Sequence, residues 1–275
     1  MRTKALFFVI LCMAATCRAQ FFRPAPLNES EYYDLTVGKA SMRIDAANGA
    51  RITSLRYDTT EVLSQNPRPN MYGSTFWTSP QKEWNWPPVR EHDIMRYEVK
   101  KKSGKIIMTS QLSEKIPLRI VKQFAVDKKA GCFVVTYSII NESREDRQVA
   151  PWEITRVPAE GIISFDAPME SIQPAGLMNF VDRDGVKCFE IDQAERQRKI
   201  NADGKGWLTY RNKGLVLTKR FPDLDATQPA PDEAEIQVYV HQGKVYVELE
   251  EQGAYTTLAP GAKLDWTVCW YLERE

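Results

Sequence analysis

Histidine is nearly missing from this chain: His92 and His241 are the only two. No His-Glu-x-x-His pair, Gly-x-Ser-x-Gly elbow, phosphate-cradling glycine loop or dinucleotide fingerprint occurs. Cysteine is almost as scarce. Of five, Cys12 and Cys17 fall near the N terminus, and Cys132, Cys188 and Cys269 have no metal-ligand spacing. Three such cysteines allow one disulfide at most, so the fold must stand on its core. No metal site and no cofactor is expected. Long apolar runs are also lacking. The one from Ala5 to Ala15, preceded by Arg2 and Lys4 and followed by a small-residue exit ending at Ala19, has the pattern of a signal peptide over residues 1–19. It is too short to cross a bilayer, and nothing later approaches the ~20 apolar residues of a transmembrane helix. The expected product is exported, periplasmic or secreted, and starts near Gln20. Lipidation at Cys17 is the competing reading; against it, Ala14 stands where an aliphatic residue is usual. Without the leader, 34 basic residues face 36 acidic ones. A surface so nearly neutral gives no electrostatic case for nucleic acid.

What the chain does have is β grammar. Short runs rich in Val, Ile, Thr, Tyr and Phe alternate with turn signals such as Asn48-Gly49, Ser103-Gly104 and Asp184-Gly185. Only DQAERQRKI, from Asp192, looks briefly helical, with an apolar face too thin to bury much. Asp182-Arg183-Asp184-Gly185 looks like a fragment of a calcium loop but lacks the further acidic ligands, which favours a plain turn. No linker divides the chain, since residues 222–234 read equally well as a long loop. Residues 20–275 are therefore expected to form a single all-β domain of two large packed antiparallel sheets.

EIQVYVH-QG-KVYVELE is the clearest hairpin. A two-residue turn at Gln242-Gly243 pairs Val240 with Val245, Val238 with Val247 and Ile236 with Leu249 on an aliphatic face. The reverse face carries Tyr239, Tyr246, Glu248 and Glu250. Such a polar face is either solvated or lines a ligand groove. Residues 73–88, GSTFWTSPQKEWNWPP, hold three of the seven tryptophans, Trp77, Trp84 and Trp86, among Pro80, Pro87 and Pro88. The prolines argue for a stiffened loop, its indoles being either trapped core or exposed platforms.

Three stretches in order, NGARITSLRYDTTEVL (48–63), FAVDKKAGCFVVTYSIINES (from Phe124) and VELEEQGAYTTLAPGAKLDWTVCWYL (247–272), resemble the galactose mutarotase-like superfamily, which includes the aldose 1-epimerases. The tryptophan-rich segment together with APWEITRVP is most similar to a bacterial branch of exported proteins within it. The resemblance implies a β-supersandwich whose concave face binds a sugar or glycan. It also implies that Glu250, in Leu249-Glu250-Glu251-Gln252, is the base on the anomeric hydroxyl. Glu248, about 7 Å along the strand, would raise a neighbouring carboxylate's pKa by repulsion.

The departure from the family falls in APWEITRV, where mutarotases place a histidine acid and this chain has Trp152, Glu153 and Arg156. Arginine stabilises negative charge but is a poor proton donor, because the delocalised guanidinium holds its proton too tightly. His92 stands where the superfamily often has a substrate-binding histidine, without the usual His-Gly-Gly. His241, flanking the turn, reads as exposed and idle. The candidate catalytic residues are thus Glu250, His92 and Arg156. Candidate sugar contacts are Trp77, Gln81, Trp84, Trp86, Trp152, Glu153, Tyr239, Tyr246 and Glu248. The leading function is an exported carbohydrate-active protein that binds a sugar and, if catalytic, acts at its anomeric or a neighbouring carbon as an epimerase-like isomerase with Glu250 as base. A carboxylate pair such as Glu153 and Glu250 also suits glycoside hydrolysis at the right separation. The alternatives of another class are a non-catalytic glycan-binding protein and a structural accessory of glycan utilisation.

Overall fold

In a computed structural model that describes residues 29–65, 71–192 and 195–275, the chain forms two ten-stranded sheets with every strand pair antiparallel. The leader read at residues 1–19, with Cys17, lies outside the described residues. Along the first sheet the strands run Tyr32–Val37, Ala40–Asp45, Arg51–Tyr57, Ser74–Ser79, Arg147–Val157, Val247–Gln252, Ile236–Val240 and Arg198–Ala202. Thr60–Glu61 and Thr256–Leu258 attach beside it. The second runs Val181–Arg183, Val186–Glu190, Ile162–Asp166, Trp207–Asn212, Leu215–Arg220, Lys263–Arg274, Cys132–Asn141, Leu118–Asp127, Lys105–Thr109 and Glu98–Lys102. Among the described residues no helix is long and apolar enough to cross a membrane.

Alternation explains the packing. In Cys132–Asn141 the residues Phe133, Val135, Tyr137 and Ile139 are buried, and in the neighbouring strand Trp266, Val268 and Trp270 join them. From the first sheet Met42, Leu55 and Phe76 belong to the same apolar cluster, with Phe76 stacked on Tyr137 at 4.2 Å between ring centres. Each such side chain contributes roughly 1.5–3 kcal/mol through burial.

The core is not wholly apolar. Lys219 Nζ lies 2.8 Å from Glu153 Oε2, 2.5 Å from Glu251 Oε2 and 2.7 Å from Thr155 Oγ1, all fully buried. The Tyr137 hydroxyl donates to the other Glu153 oxygen. Burial pushes Glu251 up to about 8; Lys219 opposes the rise and Glu153 adds to it.

Three sequence expectations are corrected. First, the tryptophan-rich segment is only half loop. Ser74–Ser79 is a strand with all six residues buried, paired with Arg147–Val157, and the loop begins at Pro80. A strand covered on both faces shows no polar alternation, so its period is silent in the sequence. Pro151 survives in the partner strand because the neighbour on that side changes there, from Thr256–Leu258 to Val247–Gln252. At that break a side chain on Gly253 would place its Cβ 2.6 Å from Pro151 Cγ.

Second, the hairpin register is shifted by two: Val240 pairs with Val247, Val238 with Leu249 and Ile236 with Glu251. The turn is longer than two residues, with the His241 N–H donating to the Tyr246 carbonyl and both Gly243 and Lys244 at positive φ. A shift of two keeps every side chain on its face. It does place Glu251, which shares that face with Val247 and Leu249, directly opposite Ile236. Third, the stretch from Asp192 is not helical at its end, since Arg198–Ala202 is a strand beside Ile236–Val240. Asp184-Gly185 is the turn between Val181–Arg183 and Val186–Glu190, with Asp182 Oδ1 accepting from the Gly185 N–H.

Candidate functional site

Five adjacent strands, from Ser74–Ser79 to Arg198–Ala202, carry the candidate site on the face opposite the core. Trp152 stands directly across from Trp77 on one side and Gln252 on the other. Arg156 is opposite Glu248, Glu248 opposite Tyr239, and Tyr239 opposite Lys199. Ile154 pairs with Glu250, which pairs with Gln237. The period of two therefore puts Trp77, Trp152, Arg156, Glu248, Glu250, Tyr239 and Lys199 together.

Glu250 is buried and asymmetrically held. Its Oε2 accepts from Trp152 Nε1 at 2.9 Å and from Lys199 Nζ at 2.8 Å. Its Oε1 has no hydrogen-bond partner among the described residues. Burial raises its pKa above the usual carboxylate value; Lys199 opposes the rise, and Glu248 adds to it by repulsion. Lys199 Nζ also lies 4.9 Å from the Trp152 ring centre, within cation–π range.

Arg156 is likewise buried, its Nη2 2.9 Å from Glu248 Oε1. The guanidinium sits between the rings of Trp77 at 5.6 Å and Tyr246 at 6.0 Å. No nitrogen of it meets hydrogen-bond geometry with any described residue. Tyr246 packs on His241 at 4.8 Å between ring centres, and Tyr239 lies beside both.

Trp77 is held by a device absent from the sequence reading. The short helix Arg90–Asp93 presents Asp93, whose Oδ1 accepts from Trp77 Nε1 at 3.0 Å, Thr75 Oγ1 at 2.8 Å and Arg51 Nη2 at 3.0 Å. Gly49, at φ 72°, lets the preceding turn touch this helix, since a Cβ there would fall 2.0 Å from the Asp93 carbonyl oxygen. Trp77 in turn meets Trp84, Trp86 and Trp152 edge-on at 5.7, 6.2 and 5.5 Å.

Of the residues singled out in the sequence, Glu250, Arg156, Trp77, Trp86, Trp152, Tyr239, Tyr246 and Glu248 meet on this face. Four others have different surroundings. Glu153 points into the core towards Lys219, because it neighbours Trp152 in a strand; it cannot form a carboxylate pair across one site with Glu250. His92 is buried with Nε2 3.0 Å from the Leu118 carbonyl oxygen of the second sheet, and burial lowers its pKa to about 4. Trp84 is buried beneath the rim, its Nε1 donating to the Thr78 carbonyl at 2.8 Å. Gln81 opens a 3-10 turn, with its backbone N–H bonded to Glu233. Trp86, by contrast, is 58% exposed.

Arg51, Asp93 and Lys199 were missed. A signal for Asp93 was its place directly after the conspicuous His92; Lys199 lay in the stretch read as helical. Among the described residues no group of three or more His, Cys, Asp or Glu is placed to hold a metal ion.

The two large antiparallel sheets have the fold of a galactose mutarotase-like sandwich. Solved structures with the same fold include a galactose mutarotase-like protein from Lactobacillus casei, at 14% identity and TM-score 0.59, covering 88% of this chain and 100% of that one. A galactose mutarotase-related enzyme from Lactobacillus acidophilus matches at 10% identity and TM-score 0.61, over 88% and 97% of the two chains. A candidate aldose 1-epimerase from Escherichia coli K12 matches at 12% identity and TM-score 0.62, over 90% and 100%. No family model matches the chain, and no curated protein matches it in sequence.

Proposed function

We propose that the face around Glu250 binds a sugar and speeds the interchange of its anomers, with Glu250 as the base. One observation carries the reading: a buried carboxylate with one oxygen fixed by Trp152 and Lys199 and the other, Oε1, without a partner among the described residues. A raised pKa brings such a group nearer the working range of a general base. Arg156, on the same sheet face and opposite Glu248, supplies positive charge for a developing oxyanion. Trp86 and Tyr239 offer rims on which the apolar face of a sugar ring can stack. The leader-like residues 1–19 support export of this activity from the cytoplasm.

The test is polarimetry or exchange NMR on freshly dissolved aldoses. The wild type should speed equilibration above buffer, and Glu250→Gln should lose that gain by about 10²–10⁴-fold. Equal rates for wild type, variant and buffer would remove the isomerase reading. A second reading, a non-catalytic glycan-binding protein, is favoured by Trp152, which meets Glu250 in the segment where the resemblance calls for a histidine acid. Saturable glycan binding without any gain in rate would select it.

A further inference from the structure

With Glu250 as base, opening a sugar ring still requires a proton for the ring oxygen. The two histidines do not stand at that point. His92 turns to the Leu118 carbonyl, and His241 Nδ1 lies 2.7 Å from the Gln242 carbonyl oxygen in the hairpin loop. Arg156 is close, but a guanidinium does not give up its proton in the working range. Lys199 differs from all three. Its ammonium touches Glu250 Oε2 at 2.8 Å and lies 4.9 Å from the Trp152 ring centre, and its side chain is 37% exposed, so a ligand approaching Glu250 meets it.

We propose that Lys199 is the general acid paired with Glu250. The proposal rests on the reading of Glu250 as an anomerising base and gives the missing histidine's task to a different strand. In the forward step Glu250 Oε1 takes the proton of the anomeric hydroxyl, and the electron pair left on that oxygen closes the C1 carbonyl. The bond from C1 to the ring oxygen breaks, and the ring oxygen takes a proton from the Lys199 ammonium. The open-chain aldehyde, a neutral Lys199 and a protonated Glu250 result. After rotation about C1–C2 the new hydroxyl attacks the other face of C1 and returns its proton to the Lys199 amine. Glu250 then returns its own proton to the carbonyl oxygen, so nothing is consumed. Trp152 serves both groups: its Nε1 fixes Oε2, and its ring holds the Lys199 ammonium within cation–π range beside the same oxygen.

The test compares wild type, Lys199→Arg and Lys199→Met by polarimetry across pH, using D-glucose and D-galactose as probes. Thermal unfolding of each variant serves as the folding control. Lys199→Arg keeps the charge next to Glu250 but cannot release a proton, so it separates proton donation from charge alone. Both variants should lose at least 10²-fold in kcat with KM within a few-fold. In Lys199→Met the acid limb should also move up, because Glu250 loses the cation that lowers its pKa.

Lys199→Arg within a few-fold of wild type would overturn the proposal and leave Glu250 cycling a proton by itself. That outcome leaves the isomerase reading standing if Glu250→Gln is still inactive. No wild-type acceleration at all would remove both.

Discussion

Glu250 and Glu251 are consecutive, both carboxylates are buried, and burial raises the pKa of both, yet they serve opposite sides of one sheet. Glu251 turns inward to Lys219, which also holds Glu153, and every charge in that cluster is sealed between the sheets. Glu250 turns outward to Lys199, whose side chain is more than a third exposed. The strand period separates a closed ionic cluster from an open one within a single peptide step. The closed one has no spare positive charge and no route to solvent, so its role is structural. The open one has an accessible cation and aromatic rims, whereas an Oε1 without a hydrogen-bond partner among the described residues occurs in Glu250 and Glu251 alike. Lys219→Met breaks this comparison most severely. Removing the cation leaves two buried carboxylates unpaired and should cost about 3–5 kcal/mol by chemical denaturation. Lys199→Met should cost less than Lys219→Met, because it takes the cation from one buried carboxylate rather than two and Lys199 itself is 37% exposed. Similar losses from the two variants would mean that the outward cluster is structural too.

A second adjacent pair sharpens the contrast. Asp93 faces the site and anchors Trp77, whereas His92 is buried against the second sheet. Burial lowers the His92 pKa from 6.5 to about 4. Between those values the unfolded chain takes up a proton that the folded chain refuses, so stability falls as pH drops through this window. The full span corresponds to about 3 kcal/mol. His92→Gln should flatten the dependence of the denaturation midpoint on pH between 6.5 and 4, with activity at neutral pH retained. An unchanged slope would show that the His92 ring is free to take its proton in the folded chain.

The alternating strands were legible in the sequence because one of their faces is apolar and the other is not, as in Cys132–Asn141. The hairpin's faces were legible for the same reason, even with its register misjudged by two. Ser74–Ser79 and Arg147–Val157, the central strands of the site, were not. Both are covered on the two sides, and they carry Ser, Thr, Pro and charged residues that read as loop. Glu153 shows the cost: beside Trp152 in the sequence it reads as a site residue, and only strand direction sends it to the core. Asp93 and Lys199 come from a one-turn helix and an edge strand, elements too short to announce themselves by period. Their roles arise from contacts across the sheet, with Trp77 and Glu250, that no local pattern encodes.

The smallest predicted effect on stability tests the rim. Trp84 and Trp86 are two residues apart and both meet Trp77 edge-on, but the first is 1% exposed with its indole N–H satisfied, and the second is 58% exposed. A buried indole is core. An exposed one resting on a fixed partner keeps an open ring face at no ordering cost to a ligand. Trp86→Ala should therefore change stability by no more than about 0.5 kcal/mol. It should weaken glycan binding by roughly three- to tenfold in calorimetry, the worth of one aromatic stack. If binding is unchanged, ligand contact lies further along the sheet, towards Tyr239 and Tyr246. A large stability loss would instead mean that Trp86 belongs with Trp84, to the packing that holds Trp77.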